Sequence, residues 1–258
     1  DSAGIAVGNV VGSNIANIFL ILGVSALIAP IAVQPKSFSR DSFAVLAATI
    51  LAIGLAMTIG FTRLAGGIFI GFLFSYIAIA YLSERSAPDH PETERHEAAG
   101  AALPRGPNSI LLDIVLAAAG LAILVVGARL LVDGSINIAR VFGVSETIIG
   151  LTIVAIGTSL PELVTSIVAA MRGKGALALG NVIGSNIYNI LGILGVTALI
   201  RPLTAPPEIV RVDNWVMLGA TLDMVYFART GSRITRLEGA VLALAYGGYI
   251  LWLAYSAG

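Results

Sequence analysis

Long apolar stretches of about 20 residues alternate with short polar or charged breaks along almost the whole chain. A stretch of that length can cross a hydrocarbon core of about 30 Å as a helix. The breaks predict eight such helices, at residues 8–29, 42–61, 64–83, 109–132, 146–172, 176–200, 213–230 and 236–256. The pattern therefore predicts an all-α protein that crosses a membrane many times.

One hydrophilic stretch interrupts this pattern. Residues 84–108 are polar, contain proline and show no periodicity, which predicts a solvated linker between two halves. The only histidines, His90 and His96, lie in it, and the chain has no cysteine. No membrane helix then offers an imidazole or a thiolate, which disfavours an intramembrane hydrolase or a zinc site. We therefore expect that the protein is not an enzyme.

Composition and charge agree with membrane insertion. Hydrophobic residues make up 57% of the chain and charged residues 12%, whereas a soluble domain has roughly 25% charged residues. If the eight helices alternate in direction, ten of the 15 Lys and Arg residues fall on one side, which the positive-inside rule assigns to the cytoplasm. We expect both chain ends outside, the linker 84–108 in the cytoplasm, and a prokaryotic cell membrane as the location. The expected partners are a lipid bilayer and inorganic cations, with no nucleic acid.

An internal repeat relates the two halves. The stretch GNVVGSNIANIFLILGVSALIAP, residues 8–30, returns as GNVIGSNIYNILGILGVTALIRP, residues 180–202; six of the 23 positions differ, which leaves 17 identical. The first copy is the first predicted helix and the second copy is the sixth, so four crossings lie between them. The copies then run in opposite directions, an inverted-topology repeat that is typical of secondary transporters.

The repeat also predicts helices that this chain does not contain. Helices 109–132 and 146–172 precede the second copy, whereas the first copy begins seven residues after Asp1. We expect a five-plus-five fold whose first two helices, roughly 60 residues, are absent. Residues 1–83 would then be a truncated first repeat with spans three to five, and residues 109–258 a complete second repeat.

The helix 150–173, GLTIVAIGTSLPELVTSIVAAMRG, carries a carboxylate near its middle. Glu162 lies roughly 15 Å or more from either end at 1.5 Å per residue, and no Lys or Arg occurs between Arg140 and Arg172. A carboxylate at that depth is tolerated when it faces a cavity, is paired, or binds a cation. Glu162 is therefore a candidate ion ligand.

Backbone and hydroxyl oxygens are expected beside Glu162. Pro161 lacks an N–H and clashes with the carbonyl four residues back, so it bends the helix and frees the carbonyl of Gly157. The unwound carbonyls near Glu162 are expected to include that of Ala155. Thr158 precedes Glu162 by one turn and shares its face. Hard oxygen ligands of this kind suit calcium or sodium.

Both repeat copies carry a polar stripe on one helical face. The stripe residues are Asn9, Ser13 and Asn17 in the first copy and Asn181, Ser185 and Asn189 in the second, each set spaced i, i+4, i+8. A compatible alternative is helix packing, because Gly8 with Gly12 and Gly180 with Gly184 form GxxxG pairs. Polar stripes also line pores, so a passive cation channel or a scaffold without transport stays open at this point.

These motifs resemble a known family. GLTIVAIGTSLPE followed by LGNVIGSNIYN resembles the second alpha repeat of the sodium/calcium exchangers of the cation/calcium antiporter superfamily, and VGNVVGSNIAN resembles the back half of the first. The resemblance implies exchange of calcium for sodium by alternating access through a midplane site. It implies transported Ca²⁺ and Na⁺ as cargo and no prosthetic group.

The resemblance also implies a ligand set. Glu162 would be the acidic ligand that calcium and sodium share, and Thr158 and the Ala155 carbonyl would line the ion path. The remaining oxygens would come from Ser185 and Asn189 and from their mirror partners Ser13 and Asn17. The acidic residue of the first repeat has no counterpart in this chain, so we expect the chain alone to bind a divalent ion poorly.

Overall fold

The computed structural model describes residues 2–85, 109–141 and 143–256. Helices account for most of them, as the apolar pattern predicts. The α-helices are α1 Ser2–Ala16, α2 Gly23–Ile28, α3 Pro35–Met57, α4 Arg63–Arg85, α5 Ser109–Val141, α6 Glu146–Ile149, α7 Ala155–Thr158, α8 Leu160–Met171, α9 Gly175–Ile187, α10 Gly195–Ile200, α11 Asn214–Arg229 and α12 Arg236–Ser256. Four π-helical segments lie between helices, at Asn17–Leu22, Gly150–Val154, Tyr188–Leu194 and Ile209–Asp213, and a 3₁₀ turn covers Thr230–Ser232. Two short strands, β1 Ile31–Ala32 and β2 Arg233–Ile234, complete the described structure.

The helices fall where the apolar runs predict them. Among the described residues, five helices are long and apolar enough to cross a membrane, or six if the bent pair 147–158 and 160–171 counts as one span. The predicted span 213–230 corresponds to α11, which continues directly from the π-helical segment Ile209–Asp213. The helix α4 continues to Arg85, and from residue 86 onward the predicted linker lies outside the described residues. Multiple spans are therefore supported, and the count of eight stays a prediction.

The two halves make the same contacts on each other. Ile31 of β1 pairs with Ile234 of β2, and Phe61 forms a bridge with Leu203. Leu203 is the repeat equivalent of Ile31, 172 positions later, and Ile234 is the equivalent of Phe61, 173 positions later. Each half thus contributes one member to each pair with the roles exchanged, as a two-fold relation between inverted repeats produces.

Glycines repeat this reciprocity in the helix packing. A Cβ atom on Gly66 would lie 2.7 Å from the carbonyl oxygen of Gly195, and one on Gly239 would lie 2.8 Å from that of Gly23. Gly195 is the equivalent of Gly23, and Gly239 that of Gly66. Close backbone approach therefore joins each motif helix to the last helix of the other half.

The two motif copies differ in how far they are enclosed. An apolar 18-residue window within residues 4–28, which hold the first copy, is 78% buried, whereas such a window within residues 175–200, which hold the second, is 50% buried. A Cβ atom on Gly8 would lie 3.0 Å from the Thr147 carbonyl, and one on Gly12 would lie 2.8 Å from the Ala155 Cβ. A Cβ on Gly180 or Gly184 would meet nothing within 4 Å. The GxxxG packing prediction therefore holds for the first copy and not for the second, whose glycine face is open among the described residues.

The packed glycine face gives a stability prediction. We expect Gly12→Ala to lower the free energy of unfolding by about 1–3 kcal/mol, because the new methyl group overpacks against Ala155 and the Leu151 carbonyl. Gly54→Ala is the matched control, since Gly54 has open space around its Cβ and the change favours the helix by up to about 1 kcal/mol. Thermal unfolding in detergent measures both variants. Equal transitions for the two variants would contradict the packing role of Gly12.

Candidate cation-binding site

The helix that carries Glu162 is broken immediately before it. Residues 147–158 and 160–171 meet at an angle of 46°, and Ser159 between them has φ −95° and ψ 4°. Pro161 lies in the first turn of α8, where its missing N–H costs no helical hydrogen bond. The bend predicted from Pro161 is confirmed. Glu162 consequently lies in the first turn of a new helix and beside the break.

Glu162 opens onto a cavity of about 340 Å³. The cavity is lined by Glu162 and by the open face of the second motif copy, which supplies Gly180, Asn181, Gly184, Ser185, Tyr188 and Asn189. The structure thus brings together three of the predicted site residues, Glu162, Ser185 and Asn189. Asn181 of the polar stripe joins them, because the i, i+4 spacing keeps it on the same face.

The carboxylate of Glu162 has no cationic neighbour among the described residues. An ion pair joins Arg40 and Asp41 elsewhere in the described structure, and none involves Glu162. The Ser185 hydroxyl approaches the carboxylate, while Oε2 of Glu162 is buried and has no hydrogen-bond partner. A buried acceptor that lacks a partner costs free energy, and a charged one costs more. The site therefore holds an acceptor that a cation would satisfy.

Asn181 fixes the cavity wall to the Glu162 helix. Its Nδ2 donates to the Ser166 hydroxyl at 3.0 Å and to the backbone carbonyl of Glu162 at 3.3 Å. The two bonds hold α9 against α8 close to the carboxylate. Asn181 therefore positions Glu162 relative to Ser185.

A second group of oxygens forms on the other side of the break, between α1 and α7. The Thr158 hydroxyl donates to Asn9 Oδ1 at 2.9 Å and lies 3.2 Å from the Ser13 hydroxyl. The backbone carbonyl of Ala155 accepts from the Ser13 hydroxyl at 3.3 Å and lies 3.2 Å from the Thr158 hydroxyl oxygen. Three predicted site residues, Thr158, Ala155 and Ser13, therefore meet in one hydrogen-bonded group, with Asn9 as the fourth member.

Asn17 is the predicted site residue that lies in neither group. It is 1% exposed, and its Nδ2 donates to Asn186 Oδ1 at 2.9 Å. Its repeat equivalent, Asn189, lines the Glu162 cavity instead. The stripe pattern predicts the same environment for both residues, but neighbouring helices enclose only the first copy.

The sequence reasoning did not single out Asn186. The residue is fully buried and its side chain contacts the other motif copy. It falls outside the i, i+4, i+8 stripe, so the face argument excluded it. The one feature of the sequence that indicates Asn186 is that both repeat copies have Asn at this position, as Asn14 and Asn186.

The donor set is hard and carries little charge. The described residues hold no group of three or more His, Cys, Asp or Glu side chains that could bind a metal ion. The donors are one carboxylate together with amide, hydroxyl and backbone carbonyl oxygens. Such oxygens suit sodium and calcium, whereas zinc and copper prefer nitrogen or sulfur.

Comparison with known proteins gives a consistent result. A family model described as sodium/calcium exchanger protein matches residues 1–82 and 112–255. The chain is 40% identical to CaxA of Alkalimonas amylolytica across 95% of this chain and 76% of CaxA. It is 34% identical to the sodium/calcium exchanger MaX1 of Methanosarcina acetivorans across 98% of this chain and 81% of MaX1.

The fold is similar to that of a solved exchanger. The sodium-calcium exchanger NCX_Mj, soaked with 2.5 mM Na⁺ and 1 mM Sr²⁺, matches with a TM-score of 0.74 and 34% identity over 97% of this chain and 77% of that chain. The relatives named for an activity are exchangers rather than enzymes. The resemblance of the two motifs is thereby confirmed, and this integral membrane protein belongs to the sodium/calcium exchanger family.

Proposed function

We propose that this protein is a secondary antiporter that exchanges calcium for sodium by alternating access. The observation that carries the proposal is the Glu162 carboxylate, which faces an oxygen-lined cavity, has a buried oxygen without a partner and has no cation beside it in the described structure. A transported ion would supply the missing positive charge. Family membership supports Na⁺ and Ca²⁺ as the ions.

Two groups of ligands would serve the ions. Glu162, Ser185 and Asn189 would bind from the cavity side of the helix break. Thr158, the Ala155 carbonyl and Ser13 would bind from the other side, and Asn17 would add an amide oxygen between the motif copies. Ions would then bind at the break, where both broken-helix ends offer oxygens, as in other transporters with discontinuous helices.

A second broken helix would complete this site. Gly8 and Gly12 pack against the first half of the broken helix, whereas Gly180 and Gly184, their repeat equivalents, have open space. We propose that a helix equivalent to 146–171, with its own acidic residue, packs on this open face in the complete transporter. Residues 1–83 would then be the remainder of the first repeat and residues 109–258 the second. Two carboxylates would neutralise one calcium ion.

The orientation follows from the charge distribution. We propose that the loops rich in Lys and Arg, with linker 84–108, face the cytoplasm and that both chain ends face outside. Because the chain has no cysteine, single cysteines report sidedness cleanly. We expect a membrane-impermeant thiol reagent added to intact cells to label Arg211→Cys and to spare Lys174→Cys. The reverse pattern would refute the orientation.

Glu162 gives the direct functional test. We expect Glu162→Gln to reduce sodium-driven calcium uptake by more than about tenfold, since losing a charged ligand costs at least about 1.4 kcal/mol. The measurement is ⁴⁵Ca²⁺ uptake into proteoliposomes that hold the full-length gene product and an outward sodium gradient.

The matched control is another carboxylate in a helix of the same protein. Asp223 lies in α11, is exposed and is not among the cavity-lining residues. Asp223→Asn should keep uptake within about twofold of the parent protein, because removing a charge outside the site leaves the ligands intact. Undiminished uptake by Glu162→Gln would remove Glu162 from the ion path.

A further inference from the structure

Three buried asparagines connect the two motif copies. Asn17 donates through Nδ2 to Asn186 Oδ1 at 2.9 Å, and Asn186 donates through its own Nδ2 to the backbone carbonyl of Asn14 at 3.4 Å. None of the three is more than 1% exposed. None of the three lines the Glu162 cavity or bonds to Thr158, but Asn17 follows Ser13 by four residues and Asn186 directly follows Ser185.

The network has only one consistent direction. A backbone carbonyl only accepts hydrogen bonds, so Asn186 must turn its Nδ2 toward Asn14 and its Oδ1 toward Asn17. Asn17 must then offer its Nδ2 to Asn186. The Oδ1 of Asn17 therefore points away from Asn186. The Asn14 carbonyl fixes the orientation of the Asn186 amide, and the Asn186 amide in turn fixes that of the Asn17 amide.

The Oδ1 of Asn17, which points away from Asn186, has no hydrogen-bond partner among the described residues. Asn17 Oδ1 is buried and accepts no hydrogen bond within the described part of the chain. An unsatisfied buried acceptor costs free energy, so an orientation that leaves it without a partner needs a compensating interaction. Amide oxygens are ligands for sodium and calcium.

We propose that Asn186 is a positioning residue that holds the Asn17 amide with its oxygen presented to the transported cation. This inference rests on the proposed antiport function and extends it to a residue with no direct role at the ion. Holding the ligand in its binding orientation before the ion arrives avoids the entropic cost of ordering it during binding. Without Asn186, the Asn17 amide is free to rotate and present Nδ2, which repels a cation.

The first copy supplies a matched comparison at Asn14. Asn14 is the repeat equivalent of Asn186 and is equally buried, but its Nδ2 donates at 2.7 Å to the Val10 carbonyl of its own helix. Its Oδ1, like that of Asn17, has no partner among the described residues, but its side chain donates no hydrogen bond to a candidate ligand. Two asparagines that are identical by sequence position have different roles because the copies have different neighbours.

The test compares these two asparagines in transport. Initial ⁴⁵Ca²⁺ uptake by the full-length gene product is measured over a range of calcium concentrations, with an outward sodium gradient. We expect Asn186→Leu to raise the apparent KM for calcium about tenfold and to change the maximal rate less, because it weakens one ligand. Asn14→Leu should keep the KM within about twofold, since its side chain orients no ligand.

A double mutant separates positioning from general damage to the fold. If Asn186 acts through Asn17, Asn17→Ala combined with Asn186→Leu should have the KM of Asn17→Ala alone, because the second change removes nothing further. Additive effects, an unchanged KM in Asn186→Leu, or an equal rise in Asn14→Leu would each overturn the role. Asn186→Ser, whose hydroxyl is too short to reach Asn17, replaces Asn186→Leu if the leucine variant does not fold. A parent protein without sodium-driven uptake would instead overturn the antiport function itself, and the role of Asn186 with it.

Discussion

The Glu162 carboxylate lies beside the break of a membrane helix, and the described protein offers it no positive charge. Placing a charged side chain near the centre of a bilayer costs about 2.5–3.5 kcal/mol on insertion scales. The neighbouring features reduce that cost. The break at Ser159 brings the start of α8 to the carboxylate, and the Ser185 hydroxyl approaches it. These features are consistent with the proposed binding of a transported cation at Glu162.

The two motif copies are nearly identical in sequence but are packed differently. The first motif copy is packed against the broken helix through Gly8 and Gly12, while the second copy presents the same glycine pair to open space. The same difference separates Asn17, which is enclosed, from Asn189, which lines the cavity. Among the described residues the two copies therefore differ in packing, and the helix proposed for the open face would reduce this difference.

The sequence predicted the features that depend on local rules. The apolar runs predicted the helices, Pro161 predicted the bend, and the i, i+4 spacing predicted that Ser185 and Asn189 share a face. The features that it did not predict depend on neighbours. The π-helical segments Asn17–Leu22 and Tyr188–Leu194 cannot be distinguished from α-helix by apolar periodicity. The contact of Asn186 with Asn17 needs two helices from different halves, about which a single-helix pattern carries no information.

The most direct test of ion exchange through this site is calcium accumulation against a gradient. Proteoliposomes with the full-length gene product are loaded with sodium, diluted into sodium-free buffer with calcium, and held at zero membrane potential with a potassium ionophore. The account predicts that free calcium inside rises above the outside concentration and falls back when a sodium ionophore dissipates the gradient. Calcium that only equilibrates, whatever the sodium gradient, would indicate a passive pore and contradict the account.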